Sequence, residues 1–261
     1  MRNYFVFDGV DSRTLGIYTN GTETYNSPSR EFDFYQVPGR DGDLLGLSTR
    51  LSNTELTYHC YIYKNFKTNI AALRGLLLSR TSYCRLSDTY NPDEYRLALF
   101  QGPLNVEPTR LGDAGQFDIT FIVKPQRYYN SGDVPVTVEG DGSAATFSNP
   151  SQFIAKPRIL YNYLTHASTS EISIYNAAGS PISYYITVDI DSTAPTGLYI
   201  IDSELMEITD ENGNNAEQYF TIRHWRGEQK HPFPYFDLYA SYFFVGGADN
   251  EATVTPRWWT V

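Results

Sequence analysis

Side chains capable of catalysis are scattered through this sequence instead of being grouped. The chain has four histidines, His59, His166, His224 and His231. They lie far apart, and none belongs to an HExxH or comparable zinc-binding pattern. Neither a G-x-S-x-G nucleophile elbow nor a phosphate-binding loop occurs. The sequence therefore predicts a protein with no catalytic residues, no metal site and no cofactor.

One acidic stretch superficially resembles a calcium-binding loop. Asp210, Asn212 and Asn214 alternate as oxygen ligands would, but Gly213 stands at the wrong position for an EF-hand and no glutamate closes the loop. A hairpin turn explains the stretch better. Pairs of carboxylates could serve a glycosidase, but in a chain with 30 acidic residues such pairs arise by chance and are weak evidence for that activity.

Composition narrows the class of protein further. The 261 residues include 22 Tyr and 15 Phe, and the formal net charge is −10. Tyrosine and phenylalanine favour strands and contact surfaces, so a β-rich protein is expected. The negative charge disfavours sequence-specific nucleic-acid binding, which needs a basic surface. Cys60 and Cys84 are expected to be reduced, buried thiols, although the sequence leaves a disulfide open.

The sequence also bears on where the protein is made. No segment approaches the ~18 uninterrupted apolar residues of a transmembrane helix, so no membrane association is expected. The apolar run near the start is too short for a signal peptide. The sequence predicts synthesis in the cytoplasm, with any export by another route.

The first half shows strand periodicity with one helix. Phe117, Ile119, Phe121 and Val123 alternate with mostly polar residues, which predicts a strand with one apolar face. Further strands are expected over Tyr4 to Phe7, Leu15 to Tyr18 and Thr54 to Tyr63, with Tyr95, Leu97 and Leu99 as another alternating row. Apolar residues at helical spacing predict a helix over Thr68 to Ser79.

The second half reads as a series of short strands. A Gly-, Ser- and Asn-rich stretch after Tyr129 places the boundary between residues 1–131 and 132–261, with the last residues able to pack back on the first domain. Strands are expected over Arg158 to Tyr163, Glu171 to Tyr175, Ser183 to Ile190, Leu198 to Ile201, Glu204 to Thr209 and Tyr219 to Arg223. Turn residues between them favour a β-sandwich. Trp258 and Trp259 must be buried or meet a partner.

A series of motifs resembles the distal tail protein (Dit) family of siphophages. The motifs are the aromatic strand before Asp8-Gly9, the loop from Pro38 to Leu44, the turn from Asp88 to Asp93, Lys124-Pro125 with Tyr128-Tyr129, Asp202-Ser203, and the ending Thr255 to Trp259. Their order and spacing, more than any single motif, carry the resemblance. The sequence departs from the family at Gly246 to Asn250, where the family often has a proline-glycine turn.

The resemblance implies a mostly-β fold: a β-rich N-terminal domain with one helix and a hairpin arm, then a galectin-like β-sandwich. It implies a structural protein of the virion tail tip, or baseplate, in which six N-terminal domains form a ring. The implied partners are the tail tube protein, the tape measure protein and a tail-associated baseplate protein. DNA would pass through the ring without sequence-specific binding.

Two sets of residues are candidates for binding. The glycine-flanked loop Gly39, Arg40, Asp41 and Gly42 is either a simple turn or a contact loop presented to a ring neighbour or partner, and the helix-flanking surfaces are a second contact candidate. The competing hypothesis is a carbohydrate-binding module for host cell-wall glycans. Its candidate contacts are Trp225, Tyr235 and Tyr239, which are otherwise sandwich core.

Overall fold

The chain folds into two compact units. The computed structural model describes residues 2–20, 24–46, 50–109, 113–165, 171–176, 185–226 and 229–261. The first unit comprises the residues up to Arg127 together with Val261, and the second is Tyr128–Thr260. Strands dominate both units, so the predicted mostly-β fold class is confirmed. Within the described residues, no helix has the length and apolar character needed to cross a bilayer.

The first unit is built on one antiparallel sheet covered by one helix, α1 (Phe66–Leu78). Its strands are β1 (Phe5–Phe7), β2 (Val10–Asp11), β3 (Ile17–Asn20), β4 (Phe34–Tyr35), β5 (Leu44–Leu45), β6 (Thr54–Ile62), β7 (Cys84–Asp88), β8 (Glu94–Leu99), β9 (Val106–Pro108) and β10 (Gly115–Tyr129). The sheet order is β2-β1-β7-β8-β10-β6-β3, with β9 also paired to β10, while β4 and β5 form a separate hairpin.

The long pairing of β6 with β10 organises the core of the first unit. Ile119 lies opposite Tyr58 and Phe121 opposite Leu56, and all four side chains are buried. Because successive strand residues point to opposite faces, Thr57 and the other intervening residues form a second, more polar face. The alternation predicted for this segment is confirmed.

Helix α1 covers the apolar face of the sheet. Phe66, Ile70, Leu73 and Leu77 recur at helical spacing and are buried in the same cluster as the sheet residues. The helix begins two residues before the predicted start, after Asn65, which has a left-handed backbone (φ 57°) and makes no side-chain cap. A second prediction was wrong in detail: Leu15 belongs to a 3₁₀ turn, Ser12–Leu15, and the strand follows at β3.

In strand β8 the buried face is not the one that carries most of its apolar residues. Arg96 and Ala98 are buried, whereas Tyr95, Leu97 and Leu99 are only half-buried. Successive residues of a strand point to opposite faces, so an error of one residue in the predicted pattern exchanges the buried and the outer side chains. Here the buried set includes a charged arginine, which hides the alternation of apolar and polar residues. Arg96 tolerates this position because backbone carbonyls accept its hydrogen bonds.

The second unit is a sandwich of two five-stranded antiparallel sheets, in orders β11-β20-β13-β16-β17 and β12-β19-β14-β15-β18. Its strands are β11 (Val136–Glu139), β12 (Ala144–Asn149), β13 (Arg158–Tyr163), β14 (Glu171–Asn176), β15 (Tyr185–Ile190), β16 (Gly197–Asp202), β17 (Glu207–Asp210), β18 (Phe220–Arg226), β19 (Tyr239–Val245), β20 (Glu251–Thr255) and β21 (Trp259–Thr260). The last of these lies outside the two sheets of the sandwich. Two 3₁₀ turns, Asn130–Asp133 and Glu217–Tyr219, complete the unit.

Most strands predicted for the second half are present. The strand predicted from Glu204 begins only at Glu207, because 204–206 form the turn after β16. The beginning of the predicted Ser183 strand lies outside the described residues. Five strands, β11, β12, β19, β20 and β21, were not predicted, although β19 is an interior strand of its sheet.

Both tryptophans at the end of the chain are packed in the second unit. Trp258 is buried against Phe236, with ring centroids 5.5 Å apart. Trp259 stacks on Phe153 at 4.4 Å and donates from Nε1 to the carbonyl of Ile154. Burial of such rings stabilises the unit, which explains the aromatic ending.

Candidate assembly surfaces

A hairpin arm carries a group of exposed apolar side chains in the first unit. We define the arm as residues 29–46 with 50–52. At its base the N–H of Glu31 donates to the carbonyl of Arg50, and the N–H of Ser52 donates to the carbonyl of Ser29. Phe34 is 64% exposed and Leu45 is 60% exposed. Other large exposed residues on the arm are Phe32, Tyr35, Val37 and Leu44. A patch of this kind typically marks a protein contact.

The tip of the arm holds the predicted contact loop. Gly39, Arg40, Asp41 and Gly42 are all exposed. The two glycines have φ of 80° and 78°, a left-handed conformation that favours glycine, and the Arg40 N–H donates to the carbonyl of Val37. Neither Arg40 nor Asp41 forms an ion pair with any residue that the structure describes. Both charges are thus presented to solvent on a defined turn.

Two buried arginines hold the segment that leads into the arm. Arg127 Nη2 donates to the carbonyls of Thr24, at 2.8 Å, and Asn26, at 3.1 Å. Arg96 Nη2 donates to the same Asn26 carbonyl at 3.2 Å. Burial, reinforced by the neighbouring charge of Arg127, lowers the pKa of Arg96 to about 10. We call this pair the arginine clamp; sequence patterns did not reveal it, because each arginine occupies an inward strand position.

The second face of the first unit's sheet is polar and internally bonded. The Oγ1 atoms of Thr57 and Thr120 are 2.9 Å apart, and His59 Nδ1 lies 2.7 Å from Asp118 Oδ1. At one end of this face Tyr18, Tyr61 and Tyr63 cluster under the guanidinium of Arg2, which lies 4.7 Å from the Tyr63 ring centre. The outward side of α1 carries two charged residues, Lys67 and Arg74, among small residues, and Leu78 at its end is exposed.

Of the three glycan candidates, two have side chains that the structure describes, and these two differ in exposure. Trp225 lies on the outer face of its sheet and is 56% exposed. Tyr235 is only 1% exposed and belongs to the sandwich core, which is one of the two interpretations that the sequence left open for it. The backbone of Tyr239 begins β19, and its side chain lies outside the described part of the structure.

The candidate metal ligands and the two cysteines are placed apart in the described part of the chain. No set of three or more His, Cys, Asp or Glu among them could hold a metal ion. Cys60 and Cys84 are free thiols, and burial raises the pKa of both. Asp210 accepts hydrogen bonds from the backbone N–H groups of Asn212 and Asn214, so the calcium-like stretch is a turn closed on itself.

These features define a class of fold: a sheet-and-helix unit with a projecting arm, followed by an antiparallel sandwich. Among solved structures, the crystal structure of the SPP1 Dit (gp 19.1) protein, described as a paradigm of the hub adsorption apparatus in phages that infect Gram-positive bacteria, aligns over 100% of both chains with a TM-score of 0.67 and 14% identity. The chain therefore has the fold of a distal tail hub protein, and the resemblance drawn from the motifs is confirmed at the level of the fold.

Other comparisons add little. Two structures of the phage P2 baseplate in its activated conformation, one with Ca and one with Sr, align over 97% of both chains at 9% and 10% identity. Their TM-scores are 0.45 and 0.46, too low to support a conclusion. No protein-family model and no curated protein matches the chain.

Proposed function

We propose that this chain is a structural hub protein of a phage tail tip. The observation that carries the proposal is the full-length fold match to the SPP1 Dit protein, which covers both units of the chain. The protein would be made in the cytoplasm of the host bacterium and incorporated into the virion. There it would join the tail tube to the baseplate and to the receptor-binding apparatus.

In this proposal the first unit forms a closed ring of six copies. The arm supports it, because Phe34 and Leu45 would leave water when a neighbouring copy covers them. Isolated apolar side chains are common on protein surfaces, but a contiguous row on a projecting hairpin needs a partner. Arg40 and Asp41 at the tip would then contact a neighbouring subunit or a partner through charged hydrogen bonds.

The charge of the chain is compatible with DNA passing through the ring. A net charge of −10 repels the phosphate backbone on average, so DNA would slide through the centre without being held. The neighbours of the ring would be the tail tube protein, the tape measure protein and a tail-associated baseplate protein. No catalytic step is part of the proposed function.

Removing the apolar side chains of the arm should prevent assembly without unfolding the subunit. We expect the double variant Phe34→Ser with Leu45→Ser to keep the wild-type circular dichroism spectrum, since both side chains are already exposed. Negative-stain images of the wild-type protein should show six-fold rings with an open centre. The double variant should show single subunits at the same concentration.

A matched control tests whether the loss of rings is specific to the arm or follows from removing any exposed apolar side chain. The variant Leu205→Ser changes an exposed leucine of the second unit and should still form rings. Wild-type images that contain only single particles at high concentration would contradict the ring. Rings that persist in the double variant would contradict the role of the arm.

The carbohydrate-binding alternative is weaker in the form predicted from sequence. Of its three candidate contacts, Trp225 alone has an exposed side chain among those the structure describes. A single ring is a poor basis for a sugar site, which needs converging polar groups as well. The hub is therefore the proposed function.

A further inference from the structure

One outer face of the sandwich is lined with aromatic rings. It belongs to the sheet β12-β19-β14-β15-β18. On each strand the core residues alternate with outward ones; for example, Ile174 is buried in the core while Tyr175 is half-buried on the outside. The outward rings are Tyr175, Tyr185, Trp225, Tyr242 and Phe244, which we call the aromatic face.

The pairing register sets three of these rings in a row. Tyr175 lies opposite Tyr185 on β15 and opposite Tyr242 on β19. Ring centres are 6.3 Å apart for the first pair and 5.2 Å for the second. With Trp225 on β18 the row crosses four strands, about 14 Å at the usual strand spacing. The Tyr175 ring is inclined by 63° to the Tyr185 ring and by 48° to the Tyr242 ring, so the row presents ring edges as well as ring faces.

Trp225 is fixed in place at one end of the row. The register between β15 and β18 shifts at Tyr185, so Trp225 is the extra residue of a β-bulge, a device that redirects a side chain. Its Nε1 donates to Thr187 Oγ1 on the neighbouring strand at 2.9 Å. The indole N–H is therefore already satisfied by the sheet, and more than half of the side chain remains exposed.

Hydroxyl groups and a closed ion pair lie between the rings. Ser173 Oγ is 3.3 Å from the hydroxyl of Tyr185 and donates to Glu171 Oε1. Arg223 Nη1 lies 3.0 Å from Asp189 Oδ2, so these two charges compensate each other. Among the side chains that the structure describes, the face is rich in rings and hydroxyls and carries no net positive charge, which disfavours a polyanionic ligand on electrostatic grounds.

We infer that the aromatic face binds a neutral polysaccharide chain. The face of an aromatic ring is electron-rich and attracts the polarised C–H groups on one side of a sugar ring. The hydroxyls of Tyr185, Tyr242 and Ser173 can exchange hydrogen bonds with sugar hydroxyls. The exposed Trp225 ring offers a stacking position, and the half-buried rings beside it offer apolar contacts to an extended chain. The compensated charges of Arg223 and Asp189 match an uncharged ligand. This binding does not require ring assembly.

The inference is tested with the full-length protein and a panel of soluble neutral polysaccharides with glucose, galactose, mannose and rhamnose backbones. Native gels that contain each polymer report binding as retardation. We expect at least one polymer to retard the wild-type protein. Trp225→Ala and Tyr242→Ala should each weaken that binding about tenfold or more, while Trp225→Phe should retain part of it because a flat ring remains.

Controls keep the test decisive. Tyr25→Ala removes an exposed tyrosine of the first unit and should bind as the wild type does. Fluorescence of the purified variants, compared with Trp258 and Trp259 as unaffected reporters, verifies that the sandwich is folded. No retardation by any panel member, or binding that is unchanged in Trp225→Ala and Tyr242→Ala, would overturn the inference. The inference would also be overturned if the aromatic face bound a purified tail protein and no glycan.

Discussion

Replacing Arg127 by methionine is expected to lower the free energy of unfolding of the first unit by about 3 kcal/mol. The arginine clamp donates to the carbonyls of Thr24 and Asn26 in a buried setting, and methionine leaves those oxygens short of donors. The loss is partly offset because Arg96 no longer faces a second positive charge, one cause of its lowered pKa. The entry to the arm should loosen as a result.

Urea denaturation measures this effect when two signals are followed. Far-ultraviolet circular dichroism reports on both units, whereas tryptophan fluorescence reports on the second, where all three tryptophans lie. The variant should shift the first-unit transition and leave the fluorescence transition in place. Arg13→Met, which removes an exposed arginine paired with Asp11, is the matched control and should change little. An Arg127→Met protein as stable as the wild type would show that the clamp is dispensable.

The second large effect is expected at a buried ion pair of the sandwich. Arg257 Nη1 and Nη2 donate to the two carboxylate oxygens of Asp202, both at 2.7 Å. Arg257 has a left-handed backbone (φ 58°), so the paired geometry holds an unfavourable conformation in place. Asp202→Asn leaves a largely buried guanidinium without its counter-charge, and should cost the second unit about 3 kcal/mol at neutral pH.

The same pair predicts a pH dependence with a definite sign. Burial alone would raise the pKa of Asp202, but hydrogen bonds and the charge of Arg257, with the N–H groups of Leu205 and Glu204, outweigh burial and lower that pKa. A carboxylate with a lowered folded-state pKa stabilises the protein above the ordinary aspartate pKa, near about 3.9, and loses that contribution as the pH falls through the folded value.

The difference between wild type and Asp202→Asn should therefore be full at neutral pH and shrink below about pH 4. Urea midpoints from tryptophan fluorescence at several pH values give this curve. Glu204→Gln, which alters a carboxylate paired with Lys156 near the surface, should cost less than about 1 kcal/mol after allowance for solvent screening. A difference between wild type and Asp202→Asn that does not change with pH would contradict the assignment.

The periodic spacing of apolar residues was sufficient to predict much of the fold. The strand around Ile119 and the helix around Leu73 were predictable because their apolar residues repeat with the period of the element and face one core. Strand β8 shows where this reasoning fails: its buried side includes Arg96, and burial of a charge depends on carbonyls distant in sequence. Strand β19 was missed because it follows the proline-rich stretch around Pro232 and Pro234, which reads as a loop.

The candidate surfaces were less predictable than the fold. Gly39 and Gly42 at the tip of the arm indicate a turn from the sequence alone. The exposure of Phe34 could not be predicted, because it depends on its hairpin lying outside the main sheet. Tyr235 and Trp225 are both aromatic residues near the same strand, and only the structure separates core from surface. The aromatic face itself depends on cross-strand register, which the sequence alone does not determine.

The mass of the protein in solution tests the proposed ring most directly. Multi-angle light scattering on the full chain, from micromolar to the highest soluble concentration, measures it without reference to shape. The proposal predicts a closed species of six chains, about 178 kDa from the 29.7 kDa subunit, or twice that if two rings stack. A mass of one subunit at every concentration would contradict the self-assembling ring.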